Sequence, residues 1–178
     1  MNIFVLDLDP KKCAADHCDK HLVKMCTEHN QILGSVAYYA RGVNRKKEIT
    51  QPFVDKHFVG FPRQLNGKPH PYGIGYRNHP CTIWAGESIQ NYEWLCTLNL
   101  EMCEEYTRRY KRTHAGEAIT NWYRLHRPWL PSTGMTPFAQ AMFDDVKHKD
   151  TVTAYRQYYK KYKSRIAKWA HSKEPSWW

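Results

Sequence analysis

The chain has 178 residues, of which 42% are hydrophobic and 14% aromatic, so it is long enough to bury a core without disulfides. It carries 27 Lys and Arg against 17 Asp and Glu, a formal charge of +10, and its pI is about 9.3. Such a charge excludes an acidic protein and predicts attraction to polyanions. Because basic and aromatic residues alternate along the chain, nucleic acid is the expected partner. The alternative is a generally basic protein without that partner.

Six cysteines occur with neither a CxxC pair nor the spacing of a secreted disulfide framework. We expect buried, reduced thiols, and therefore an intracellular (cytoplasmic) protein. The apolar N-terminal run is too short for a signal peptide, and no stretch approaches the length of a membrane span. We expect no membrane association, and a monomer.

The first part of the chain predicts an extended segment followed by two helices. Residues 2–8 form either a short strand or an extended, buried arm. Pro10 at a first helical position predicts a short helix over about 10–17. A longer helix over about 19–41 follows, and Gly42 is a typical residue just beyond a helix C-terminus.

Residues 43–80 are rich in Pro and Gly and predict a long irregular connection of predominantly positive charge. Three further helices are predicted at about 80–112, 115–126 and 147–170, with a loop over 127–137. The chain is thus predicted to be all-α: a single compact domain, residues 1–178, of about five helices.

One helix combines an apolar stripe with a titratable one. His21, Lys24, Glu28 and Gln31 follow at spacings of 3, 4 and 3, so they share a face of the helix over 19–41. The other side carries the apolar residues Leu22, Met25, Ile32, Leu33 and Val36, together with His29. This pattern fits a functional site, and it fits a solvated surface helix equally well.

His17 and His21 have the i, i+4 spacing that allows two imidazoles to face one metal ion. A metal-dependent hydrolase or nuclease is therefore one hypothesis, with His79, Cys13 and Cys18 as further ligand candidates. The glutamate that follows the first histidine in zinc proteases is missing here. The sequence also lacks a phosphate loop, a dinucleotide fingerprint and a Gly-x-Ser-x-Gly element, and we expect no cofactor.

The C-terminal part combines tyrosines and lysines and ends in Trp177 and Trp178. Lys and Arg neutralise phosphates, and aromatic rings stack on exposed bases. We predict contacts with nucleic acid here. The alternative is that the tyrosines of the last helix pack inward.

Two short motifs resemble one enzyme family. Asp19-Lys20-His21-Leu22, then Glu28 seven residues after the histidine, then Gly34-Ser35-Val36, resembles the N-terminal helix of the pyrimidine-dimer DNA glycosylases, the phage endonuclease V type enzymes and their bacterial relatives. Gly75-Tyr76-Arg77-Asn78-His79-Pro80 is similar to the Asn-His-Pro element before the family's long central helix. The resemblance covers residues 1–112 loosely, plus the aromatic C-terminus.

The resemblance implies a small, all-helical, metal-free DNA-repair enzyme, and DNA rather than RNA as partner. An N-terminal α-amine would attack C1′ of the damaged nucleotide and displace the base, and β-elimination of the imine would cut the strand. Glu28 would stabilise the cationic intermediate, His21 would lie beside it, and Met1 or Asn2 would form the amine end. The residues expected to bind substrate are Lys24, Thr27, Gln31, Arg77, Asn78, His79, Trp177 and Trp178.

This sequence departs from the family at three positions. Asn2 follows the initiator methionine, where a small residue would permit its removal, so Met1 is expected to remain. Thr27 and Gln31 align with two active-site arginines of the family. We therefore expect a damaged or modified base other than the thymine dimer, or a non-catalytic nucleic-acid-binding protein of the same fold.

Overall fold

The computed structural model describes residues 2–62 and 72–178, and within them all regular secondary structure is helical. The seven α-helices of these residues are α1 (Pro10–Asp16), α2 (Asp19–Tyr39), α3 (Gln51–His57), α4 (Pro80–Glu87), α5 (Ile89–Tyr110), α6 (Gly116–Leu125) and α7 (Thr151–Tyr158). A π-helical turn, Tyr159–Lys163, continues α7, and 3-10 turns lie at Lys46–Glu48 and Asp144–Val146. The predicted all-α class is confirmed, with more helices than the five expected.

The helices enclose one hydrophobic core. Helix α2 packs against α4, α5 and α6, while α1 packs against α5. The core cluster receives residues from all seven helices, so the described residues form a single compact domain. The predicted extent of that domain, residues 1–178, stays a prediction. No helix in the two described ranges has the length and apolar composition needed to cross a membrane.

The N-terminal residues form a buried extended arm rather than a strand. Ile3, Val5 and Leu6 are fully buried. Their backbone is satisfied by side chains instead of a neighbouring strand: the Asn2 amide oxygen accepts from the N–H groups of Ile3 (2.8 Å) and Phe4 (3.3 Å). Phe4 has a φ of 41°, in the left-handed region that a non-glycine residue rarely occupies. Of the two predicted alternatives, the arm is correct.

Two helix predictions were wrong in their bounds. The helix predicted over 80–112 is interrupted at Ser88, which is extended (φ −148°, ψ 157°) and whose hydroxyl accepts the N–H of Asn91 at 3.1 Å. Because this serine is an N-cap, it ends α4 and starts α5. The helix predicted over 147–170 begins at Thr151, where Asp150 is the cap, and its regular α-helical part ends at Tyr158.

The Pro/Gly-rich connection is less irregular than predicted. Thr50 accepts the N–H of Phe53 and Pro52 lies in the first turn, which together start α3 inside this stretch. Residues 63–71 of the connection, including the predicted basic residues Arg63 and Lys68, lie outside the described residues.

A buried arginine joins α5 to the junction between α1 and α2. The side chain of Arg109 is 0% exposed, and its Nη1 donates to the carbonyl oxygen of His17 and to Asp19, both at 2.9 Å. Its Nη2 donates to the carbonyl oxygen of Ala15 at 2.8 Å and its Nε to Glu105 at 2.7 Å. The guanidinium therefore sets where α2 begins.

The same junction holds the C-terminal segment. The N–H of Asp19 donates to the carbonyl oxygen of Lys168 at 2.9 Å, and its carboxylate accepts the N–H of Ala170 at 2.7 Å. Asp19 thus connects the start of α2 to both α5 and the end of the chain.

Arg109→Met is expected to lower the free energy of unfolding by about 3–5 kcal/mol, because it leaves buried carboxylates and carbonyls without their donor. Arg108→Met is the control: it removes a neighbouring arginine that binds the same Glu105 with a side chain 55% exposed. That loss should be about 0–1 kcal/mol. Urea denaturation measures both, and equal losses would contradict the assigned role of Arg109.

Candidate functional site

The predicted face of α2 lies beside the N-terminal arm. Lys24 and Glu28 form an ion pair of 2.9 Å, in which the lysine side chain is 69% exposed and the glutamate 14%. Thr27 and Gln31 are half-buried next to them. His21 is 6% exposed, so it lies beneath this surface rather than on it. The apolar side predicted for α2, including His29, is buried as expected.

His21 is enclosed by aromatic rings from both ends of the chain. The ring of Phe4 stacks on it at a centroid distance of 4.4 Å and an angle of 23°. Its Nδ1 is hydrogen-bonded to the hydroxyl of Tyr159 at 2.5 Å. Burial lowers the pKa of His21 to about 3, with contributions from cations that include Lys163 and Lys24. The imidazole is therefore neutral near pH 7.

Asn2 lies where the arm, α2, α4 and a later loop meet. Its main chain lies against the ring of His29 on α2. Its amide nitrogen donates to the carbonyl oxygen of Ala141 at 2.8 Å, and the thiol of Cys81 in the first turn of α4 lies 3.9 Å from its amide oxygen. The arm, α2, α4 and this later loop thus fix the position of Asn2. Met1, the residue before it, lies outside the described residues.

Two further buried histidines, His17 at the end of α1 and His29 on α2, form hydrogen bonds within the core rather than an open site. His17 Nδ1 donates to the carbonyl oxygen of Cys13 at 2.7 Å, and His29 Nδ1 donates to the amide oxygen of Asn99 at 3.1 Å. Since Nδ1 of His17 carries the proton, its Nε2 is an acceptor, and it is buried with no hydrogen-bond partner among the described residues. Burial lowers the pKa of His17 to about 3 and of His29 to about 4.

The predicted metal pair lacks further ligands. Within residues 2–62 and 72–178, neither His17 nor His21 belongs to a group of three or more His, Cys, Asp or Glu side chains whose ligand atoms converge. This geometry does not favour a metal-dependent hydrolase at these histidines.

A different group of potential ligands converges in the core, namely Cys26, Cys103 and His114, whose ligand atoms lie within 4.8 Å of one another. The neighbouring Cys26 thiol lowers the pKa of Cys103 from its usual value. His114 Nδ1 accepts the N–H of Gly116 at 2.9 Å, so its proton is on Nε2. A metal at Nε2 would have to displace that proton, which makes this cluster a hydrogen-bonded core group and a poor metal site.

The residues predicted from the Asn-His-Pro element flank the start of α4. His79 is its N-cap, with Nδ1 accepting the N–H of Cys81 at 3.2 Å. Asn78 and Arg77 are exposed, and the Arg77 guanidinium lies 5.3 Å from the ring centroid of Tyr39. Because Cys81 also contacts Asn2, the element borders the N-terminal end of the arm.

Trp177 and Trp178 pack against α1 and the C-terminal segment. Trp177 Nε1 donates to the carboxylate of Asp16 at 2.6 Å, and the Arg156 guanidinium lies 5.2 Å from its ring centroid. The ring of Trp178 lies 4.9 Å from that of Trp169. Both side chains are half-buried, and their predicted contact with DNA stays a prediction.

Sequence reasoning did not identify the aromatic and cationic residues around His21. Tyr159 is 138 positions from its histidine partner. Lys163, from the same π-helical turn, lies 5.9 Å from the ring centroid of Phe4. No local spacing relates these residues to α2, and only the Tyr/Lys-rich composition of the last helix drew attention to that region.

The model of one protein family, described as pyrimidine dimer DNA glycosylase, matches residues 1–117. The chain belongs to this family. Comparisons with curated proteins and with solved structures gave no match. The family confirms the resemblance seen in the sequence, and it makes the chain a DNA glycosylase that binds DNA as its substrate. The matched residues include the arm, α2 and α5, whereas Tyr159 and Lys163 lie beyond them.

His17→Asn is expected to reduce the pH dependence of stability. The folded pKa of about 3 lies below the unfolded value of about 6.5, so between them only the unfolded state binds the proton. The free energy of unfolding therefore rises as the pH is raised through this window, by up to about 1.4 kcal/mol per pH unit for each such histidine. Asparagine keeps a donor for Cys13 without titrating. Denaturation curves at pH 4.5 to 6.5 should show, for the variant, a smaller slope of unfolding free energy against pH. An unchanged slope would contradict the lowered pKa of His17 as a source of the pH dependence.

Proposed function

We propose that the chain is a DNA glycosylase with an associated AP-lyase activity, which acts on a damaged or modified base through an α-amine and Glu28. The amine is that of the residue at which the N-terminal arm begins, Met1 in this sequence. It attacks C1′ of the target nucleotide, and the base leaves with the C1′–N bond electrons. The bound amine then loses a proton and the C1′–O4′ bond of the sugar breaks, which opens the ring and gives an imine. Loss of a C2′ proton from this imine drives β-elimination of the 3′ phosphate.

The position of Asn2 is the observation that carries this proposal. Its main chain lies against His29, the residue that follows Glu28 in α2. The α-amine is carried by the residue bonded to Asn2, so the position of Asn2 against α2 supports an amine that acts beside Glu28. An α-amine has a reference pKa of about 8, which leaves a useful neutral fraction near pH 7.

Glu28 is suited to stabilising a cation. Its side chain is 14% exposed and is held by Lys24, so its charge acts with little screening by water. A carboxylate beside C1′ stabilises the positive charge that develops on the sugar as the base leaves, and afterwards stabilises the iminium. Lys24, 69% exposed, can also reach a phosphate.

The cations around the site differ from those that the resemblance implies. Thr27 and Gln31 occupy the positions of two arginines, and His21 is neutral. Positive charge comes instead from Lys24 and from Lys163, which lies next to Phe4. This change of charge supports a target base other than the thymine dimer. Asn78 and His79 are proposed to contact the strand from the start of α4.

Borohydride reduction of the imine tests the mechanism. Incubation with duplexes that carry an abasic site or one of a panel of modified bases should give a covalent adduct, and peptide mapping should place it on the N-terminal residue. Glu28→Gln should slow base release by roughly 100-fold or more while DNA affinity is retained. The control is Glu104→Gln, an exposed glutamate on α5, which should react like the unsubstituted chain.

An adduct on Lys24 or Lys163 would contradict the α-amine, and a fully active Glu28→Gln variant would contradict the role of that carboxylate. Salt-sensitive DNA binding without any adduct or strand cleavage would favour the second candidate, a non-catalytic DNA-binding protein of the same fold. That candidate is favoured by the loss of two family arginines at Thr27 and Gln31.

A further inference from the structure

Four aromatic rings form a continuous row from the candidate site to the surface. We call Phe4, Tyr158, Tyr162 and Phe143 the aromatic row. Phe4 stacks on His21 and lies 6.0 Å from Tyr158 at an angle of 12°. Tyr158 lies 5.5 Å from Tyr162, and Tyr162 lies 4.8 Å from Phe143.

The outer end of the aromatic row is exposed. Phe143 has 59% of its surface in solvent and Tyr162 has 39%. Two neighbouring exposed rings next to a candidate active site are unusual, because packing such rings inward would bury apolar surface. A binding partner that covers Phe143 and Tyr162 would bury this exposed apolar surface.

The exposed rings are nevertheless held in place. The hydroxyl of Tyr162 donates to the carboxylate of Asp145 at 2.7 Å, and Lys161 pairs with the same carboxylate at 2.5 Å. On the other side, Ala141, two residues before Phe143, accepts the amide N–H of Asn2 at 2.8 Å. The loop that carries Phe143 is thus hydrogen-bonded to Asn2, the residue after the one that carries the proposed amine. Because the loop is already held in place, binding a partner costs it little conformational entropy.

The charges along the aromatic row suit a polyanion. Lys163 Nζ lies 4.9 Å from the ring centroid of Tyr158 and 5.9 Å from that of Phe4. The two aspartates near Phe143 are each paired, Asp145 with Lys161 and Asp144 with Lys147. Lys161 Nζ lies 5.6 Å from the ring centroid of the exposed Tyr162. Cations beside aromatic faces are the arrangement with which proteins stack nucleobases and hold the adjoining phosphates.

We propose that Phe143 and Tyr162 stack on DNA bases next to the target nucleotide and stabilise the duplex after that nucleotide has left the helix. This inference rests on the proposed function and adds the surface by which the enzyme opens its substrate. An apolar ring inserted beside an extruded nucleotide offsets part of the lost stacking energy. Both exposed rings lie beyond the residues that the family model matches.

The test is a duplex that carries 2-aminopurine beside an abasic-site analogue that cannot be cleaved. The unsubstituted chain should raise the 2-aminopurine fluorescence on binding, because a ring of the protein replaces a quenching DNA base as its stacking neighbour. Phe143→Ala and Tyr162→Ala should each bind this duplex roughly ten- to a hundredfold more weakly, with a smaller fluorescence rise. Phe143→Trp should retain both signals.

Trp129→Ala is the matched control, since Trp129 is 87% exposed and lies by Ile89 and Glu93 at the N-terminal end of α5, outside the aromatic row. It should bind and respond like the unsubstituted chain. Borohydride trapping on a single-stranded abasic oligonucleotide separates the two proposals, because no base has to be unstacked there. Phe143→Ala should form that adduct at the normal rate. Absence of adduct in every variant would contradict the proposed function, whereas equal duplex binding and fluorescence in Phe143→Ala and Trp129→Ala would overturn the stacking surface.

Discussion

The buried guanidinium of Arg109 is the interaction on which the geometry of the site depends. It binds the carbonyl oxygens at the end of α1 and the carboxylate of Asp19 at the start of α2. An α-helix is stiff over two turns, so fixing its first residue also fixes His21, Lys24 and Glu28. The same Asp19 accepts from the C-terminal segment, which follows the turn that carries Tyr159 and Lys163. One buried ion pair therefore aligns both groups of site residues.

The N-terminal arm is a buried extended segment among helices, so its backbone polar groups need partners other than a neighbouring strand. A strand would satisfy its N–H and C=O groups with a neighbour, and here side chains do so instead. Asn2 accepts two N–H groups, Cys13 receives one from Leu6, and Arg156 donates to the Leu6 carbonyl oxygen at 2.9 Å. Because these partners are specific, the arm from Asn2 to Leu6 has one register.

The sequence predicted the parts of the site that follow from local periodicity. The spacing of His21, Lys24 and Glu28 defined a face, and the apolar stripe of α2 is buried as that spacing required. The predicted helix bounds were wrong where a single capping residue sets the end of a helix, as at Ser88. Serine is also tolerated inside helices, so the sequence pattern alone does not identify it as a cap. The ring contacts of Phe4 and Tyr159 were beyond prediction, since they join positions far apart in the chain and depend on packing alone.

The electrostatics of the site favour selection by shape and stacking over selection by charge. His21 is neutral because it is buried between Phe4 and Tyr159, and Thr27 and Gln31 are uncharged. The remaining lysines, Lys24 and Lys163, neutralise phosphates but recognise no particular base. Discrimination between bases must then come from surfaces that contact them, and among the described residues near His21 these are aromatic.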